Sequence, residues 1–184
     1  MSKEDLISWH RPRIEALSEA RVDFFAVETQ PTWQEAVAVL DCIQQIDPVL
    51  PVWVTFTVKN CDSLANGESL KEAVNQITHH SLYGKGRIFA LGVNCSAPTV
   101  ITAALDTIRT VSKTLPLVVY ANSGETWNGQ TRQWEGTPKD WEQCVGEWLK
   151  RGTLIFGGCC RVDSEQIMKL RVAVAKALMN QLKT

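Results

Sequence analysis

The chain has 184 residues, 45% hydrophobic and 21% charged, a composition that supports one globular core and excludes a fibrous or disordered polypeptide. A formal net charge of -1 gives no long-range attraction to nucleic acid or to an anionic membrane, so small-molecule partners are expected. No apolar run reaches the roughly 20 residues needed to cross a bilayer. The opening Met1-Ser2-Lys3-Glu4-Asp5-Leu6 lacks the apolar centre of a signal peptide, which places the protein in the cytoplasm and its six cysteines in a reducing compartment.

Leu6, Ile7, Ile14 and Leu17 recur at helical spacing, and Val22-Asp23-Phe24-Phe25-Ala26-Val27-Glu28 follows as a compact strand. After the Thr29-Gln30-Pro31-Thr32 turn, Trp33, Val37, Leu40 and Ile43 mark a second helix, and Val52-Trp53-Val54-Thr55-Phe56-Thr57 a second strand. The segment from Ser69 to His80 reads as a helix that Gly84 and Gly86 separate from a third strand, Ile88 to Cys95. Val100, Ile101, Leu105, Ile108 and Val111 make the next helix face, and Leu117-Val118-Val119-Tyr120 the fourth strand. A long loop from about Asn122 to Lys139, with Trp127 and Trp134, has the length of a loop that serves a site, such as a lid. Trp141, Val145, Trp148 and Leu149 then form a helix, Leu154 to Cys160 a fifth strand, and Ile167, Leu170, Val174 and Leu178 a last helix.

Five strands alternating with helices call for parallel β/α units in a single domain, residues 1–184, with ligand sites at the carboxyl ends of the strands. A closed (β/α)8 TIM barrel needs eight units in roughly 250 residues. The chain therefore reads as the latter part of such a barrel or as an open five-stranded sheet, and its start on a helix favours the truncated barrel.

The third and fifth strands both stop at cysteine: Cys95 in one, Cys159 and Cys160 after Gly157-Gly158 in the other. A parallel sheet brings these three sulfurs to one carboxyl edge, and three thiolates with an open fourth position suit catalytic zinc. Zinc with three thiolates carries net negative charge, which keeps a bound substrate thiolate nucleophilic and favours S-alkylation over hydrolysis. The three histidines, His10, His79 and His80, fall on helical segments away from strand ends and are expected at the solvated surface. The alternatives for Cys159-Cys160 are two buried small hydrophobes, a vicinal disulfide, or a thiol redox pair. Cys42 and Cys144 read as core residues, and Cys61 as an exposed thiol.

Glu28 ends an apolar run and faces a desolvated mouth that wants a cationic partner. Asn94 and Ser123, also at strand ends, have the chemistry to bind a substrate or to satisfy local backbone. The tryptophans on helix and strand faces, Trp33, Trp53, Trp141 and Trp148, are expected to serve core packing.

Three stretches together, Gly92-Val93-Asn94-Cys95, Pro116 to Glu125, and Gly157-Gly158-Cys159-Cys160-Arg161, resemble the homocysteine S-methyltransferases, and the resemblance runs along nearly the whole chain. It implies a zinc-containing (β/α)8 barrel, with zinc held by Cys95, Cys159 and Cys160, and transfer of a methyl group to homocysteine to form methionine. The stretch Asn122-Ser123-Gly124-Glu125 is similar to the branch using S-methylmethionine or S-adenosylmethionine as donor, and Glu28 matches the acidic residue that holds the homocysteine amino group. Family members carry about three further β/α units before the point matching Ser2. Their absence here implies open sheet edges that self-association or a partner chain would cover, or else an inactive zinc-binding or interaction protein.

Overall fold

Ser2 opens the first helix. Its hydroxyl accepts from the Asp5 amide while the Asp5 carboxylate accepts from the Ser2 amide, a capping box at the head of α1 (Lys3–Glu19) in a computed structural model that describes residues 1–181. There follow β1 (Phe25–Gln30), α2 (Trp33–Ile46), β2 (Val52–Phe56), α3 (Leu70–Thr78), the single turn α4 (Ser81–Gly84), β3 (Ile88–Ser96), α5 (Pro98–Val111) and β4 (Leu117–Ala121). A hairpin of β5 (Thr126–Asn128) and β6 (Gln133–Glu135) interrupts the alternation, which resumes with α6 (Val145–Lys150), β7 (Thr153–Gly158) and α7 (Ser164–Gln181). Thr32 and Ser69 cap α2 and α3 through their hydroxyls, satisfying amides that have no partner within the helix.

The main sheet has the order β1-β2-β3-β4-β7, every pair parallel. Each strand thus lies beside the strand of the next β/α unit, the order of a (β/α)8 barrel; in a doubly wound sheet the order reverses at a switch point. The barrel-type architecture expected from the sequence is the one observed, with β1 and β7 at the two edges.

Alternation along the strands separates two faces. Val54, Leu91, Val93, Leu117 and Val119 join Leu40, Ile101, Leu105, Ile108 and Trp148 in the core between sheet and helices. By register, the opposite face carries Trp53 beside Ala90, then a row of Thr55, Gly92, Val118 and Ile155, then Asn94, Tyr120 and Gly157 nearest the carboxyl edge.

Several expectations are corrected. The first strand begins at Phe25 and runs two residues past Glu28, because an irregularity between Val27 and Gln30, with Thr29 at φ 59°, carries pairing onward. The long loop contains the hairpin, in which Trp127 and Trp134 pack on each other at 5.5 Å. His10 is buried and hydrogen-bonded to Glu35, and the His80 ring is shielded, bonded to Asp41 and to the Leu82 amide; His79 alone is an exposed histidine. Cys61 is half-buried, its thiol against Asp62. Trp53 lies on the face opposite the helices, whereas Trp141 and Trp148 are core residues as expected.

Candidate metal centre at the carboxyl edge of the sheet

Cys95 is a bulge residue. Asn94 pairs with Tyr120 and Ser96 with Ala121, so Cys95 is the extra residue between them, with φ at 51°. That conformation costs a non-glycine residue roughly 1–3 kcal/mol and needs surroundings that hold it. Thr57 donates its hydroxyl to the Cys95 carbonyl, and the Ser96 hydroxyl accepts from the Val58 amide while donating to the Asn94 carbonyl. The bulge turns the cysteine out of the alternating pattern.

Cys159 and Cys160 follow the last residue of β7, and backbone bonds fasten them to the end of β4. The Cys159 amide donates to Ala121, the Ser123 amide to the Cys160 carbonyl, and the Cys160 amide to the Asn122 side chain. The two glycines before them are needed for close approach: a Cβ on Gly157 would lie 2.6 Å from the Tyr120 ring, and one on Gly158 would lie 2.2 Å from Val162.

The result is a cluster in which the three Sγ atoms all lie within 4.8 Å of one another, Cys95 and Cys160 at 3.5 Å. Among the described residues no other group of metal-ligating side chains is so placed. Burial, reinforced by the neighbouring Cys160 and Cys159 thiols, pushes the Cys95 thiol up to about 12, and burial likewise raises Cys159. Three half-buried sulfurs gathered this closely are the donor set a thiophilic cation fits, because its charge offsets the cost of holding thiolates side by side.

Glu28 projects from β1 on the face opposite the helices, and the Trp53 indole N–H donates to its Oε1 at 3.1 Å. Asn94, 3% exposed, is a node joining three strands: its Oδ1 accepts from the Thr29 amide and the Thr55 hydroxyl, both at 2.9 Å, and its Nδ2 donates to the Thr29 hydroxyl. The residue after Glu28 is thereby tied to the residue before Cys95. Ser123 is fully buried, its hydroxyl donating to Glu125, whose carboxylate also accepts two bonds from Arg161. The Arg161 guanidinium, and after it the Ser123 hydroxyl, hold the Glu125 carboxyl below the usual range.

The structure brings together the three cysteines expected to meet, while Glu28, Asn94 and Ser123 each take protein partners close to them. Sequence reasoning missed Trp53, Thr29, Thr55, Asn122, Glu125, Arg161 and Tyr120. Tyr120, Asn122, Glu125 and Arg161 stand within the stretches that carry the family resemblance but were given no role of their own; the bulge that recruits Thr29 has no signal in the sequence.

Fold and site define a protein of the β/α-barrel class with a cysteine triad at the carboxyl edge of its sheet. The profile of the homocysteine S-methyltransferase family matches residues 1–174, and the chain belongs to that family. It is 35% identical over 175 residues to the betaine-homocysteine S-methyltransferase of Drosophila melanogaster, aligning 93% of this chain with 53% of that protein. It is 34% identical to homocysteine S-methyltransferase 3 of Arabidopsis thaliana, across 98% of this chain and 50% of that one. Among solved structures, the metallated form of the homocysteine methyltransferase MmuM from Escherichia coli superposes with a TM-score of 0.75 at 32% identity, over 94% of this chain and 52% of that one. The chain spans about half the length of the curated relatives it matches.

Proposed function

We propose that this protein is a zinc-dependent homocysteine S-methyltransferase that forms methionine with S-methylmethionine or S-adenosylmethionine as donor. The observation that carries the reading is the convergence of Cys95, Cys159 and Cys160 within 4.8 Å. A tetrahedral zinc with Zn–S near 2.3 Å separates its sulfurs by roughly 3.8 Å, a spacing this cluster accommodates. Zinc held there supplies a site that binds the substrate sulfur as thiolate while the three anionic ligands keep it electron-rich.

The chain's own residues do the rest. The Glu28 carboxylate receives the ammonium group of homocysteine, a charge-assisted contact. Asn94 and Ser123 complete the substrate site by positioning: Asn94 fixes the strand ends that bear Glu28 and Cys95, and Ser123 fixes the loop that meets Cys160. In the reaction the thiol proton is lost, an S–CH3 bond forms, and the methyl–sulfonium bond breaks with its electron pair passing to the donor sulfur. The leaving group is a neutral thioether, methionine from S-methylmethionine or S-adenosylhomocysteine from S-adenosylmethionine. Loss of the donor's positive charge suits surroundings that are already anionic. The reaction's small, polar substrates agree with a cytoplasmic setting, and no helix among the described residues is long and apolar enough to cross a membrane.

Cys159→Ser is expected to abolish zinc content and methionine formation together; activity retained without metal rejects the mechanism. A second reading is favoured by the unpaired edges of β1 and β7 among the described residues: a catalytically inactive zinc-binding or interaction protein whose sheet edges bind a partner. Turnover of homocysteine with S-methylmethionine, measured alongside the mass in solution, separates the two. Active protein supports the first, and inactive protein the second.

A further inference from the structure

We propose that Trp53 is a positioning residue for the substrate's amino group, acting through Glu28. The inference rests on the homocysteine reading and adds to it the means by which the carboxylate is aimed. Glu28 is two strands away from the cysteine-bearing β3, and a glutamate side chain alone has rotamers enough to miss a ligand whose sulfur is fixed elsewhere. The Trp53 indole removes that freedom. It donates to Oε1 at 3.1 Å, while Oε2 accepts no hydrogen bond among the described residues and remains for an ammonium group.

Trp53 is itself held. Phe24 packs on it at 4.8 Å, Phe89 at 5.9 Å and Tyr120 edge-on at 6.2 Å, so three rings from three other chain segments fix the indole plane. Tyr120 lies across Gly157, two residues before Cys159, which carries the same packed row to the sulfur cluster. The Thr29–Asn94 pair fastens the backbone beside Glu28 to the backbone beside Cys95. Carboxylate and sulfurs are therefore held in one frame from two sides. Among the described residues no salt bridge engages Glu28, so the carboxylate that the indole orients is not already spent on a cation of the chain.

The test is binding by the zinc-loaded 184-residue chain to two thiols, L-homocysteine and 4-mercaptobutanoate, which lacks only the amino group. Trp53→Phe, which keeps an aromatic ring but removes the N–H, is expected to weaken L-homocysteine roughly tenfold, the worth of one hydrogen bond to a charged group, and to leave 4-mercaptobutanoate unchanged. In a Glu28→Gln background the same substitution is expected to add little further loss for L-homocysteine. Equal weakening of both thiols overturns the positioning role while leaving the sulfur site intact. Failure of the native chain to bind either thiol overturns both the positioning role and the methyltransferase reading beneath it. Phe89→Leu, which loosens the packing but spares the N–H, tests for a merely structural effect: loss of the amino-group selectivity there to the same extent as in Trp53→Phe also overturns the proposal.

Discussion

Asn94 shows how one buried amide organises a site it need not touch chemically. Three hydrogen bonds converge on it, and truncation would leave the fully buried Thr55 hydroxyl without its acceptor and the Thr29 amide with only the longer contact to Thr55 Oγ1. Asn94→Ala is expected to lower stability by about 2–3 kcal/mol, read from the shift of the urea midpoint; a change under about 0.5 kcal/mol would show that the node is dispensable. At this scale the sequence was readable where chemistry announces itself. Cysteine after a glycine pair at the end of an apolar strand has few explanations, and the three named sulfurs do meet. His10 and His80 were misread because spacing says where a side chain starts and nothing about the acid waiting across a helix, here Glu35 and Asp41. Trp53 does pack, on Phe24, Phe89 and Tyr120, but on the face opposite the helices: in a strand covered on both faces, alternation does not tell which of the two a residue takes.

Elements were more legible than residues. Five apolar runs became five parallel strands, since runs of β-branched and aromatic residues bounded by turn signals have no other good use in a chain that alternates them with amphipathic helices. The hairpin was invisible because each of its strands has three residues, too few for a periodicity to show, and Trp127–Trp134 is its one aromatic pair. The same loop holds the Ser123–Glu125–Arg161 contact, which pins the segment after β4 to the segment after Cys160. Because Glu125 has its carboxyl lowered in the folded protein, its contribution is full above the unfolded value near about 4.3 and is lost as pH falls through the lower folded value. The melting temperature of Glu125→Gln should therefore trail that of the native chain at pH 7, with the gap closing under acid. A gap that persists unchanged to pH 3 would assign the difference to packing instead.

Over the whole molecule, the sequence could show which units follow one another, and the barrel order was inferred from that; what it could not show is how the free faces are covered. α7 carries Ile167, Met168, Val172 and Leu178 between 40% and 64% exposed, more apolar surface than the periodicity alone suggested. The sulfurs also come from unequal places. Cys95 sits on β3, flanked on both sides, while Cys159 and Cys160 hang from β7, which has one neighbour only, and β4 lies between the two. A cation gripped by all three would buckle the outermost unit to the middle of the sheet, making departure of the metal and fraying of the chain's last quarter a single event. Hydrogen exchange should register this as amides of β7 and α7 that slow when zinc is added and quicken on chelation while those of α2 and β2 hold steady; a uniform response along the chain would mean that the sulfurs close no such clasp.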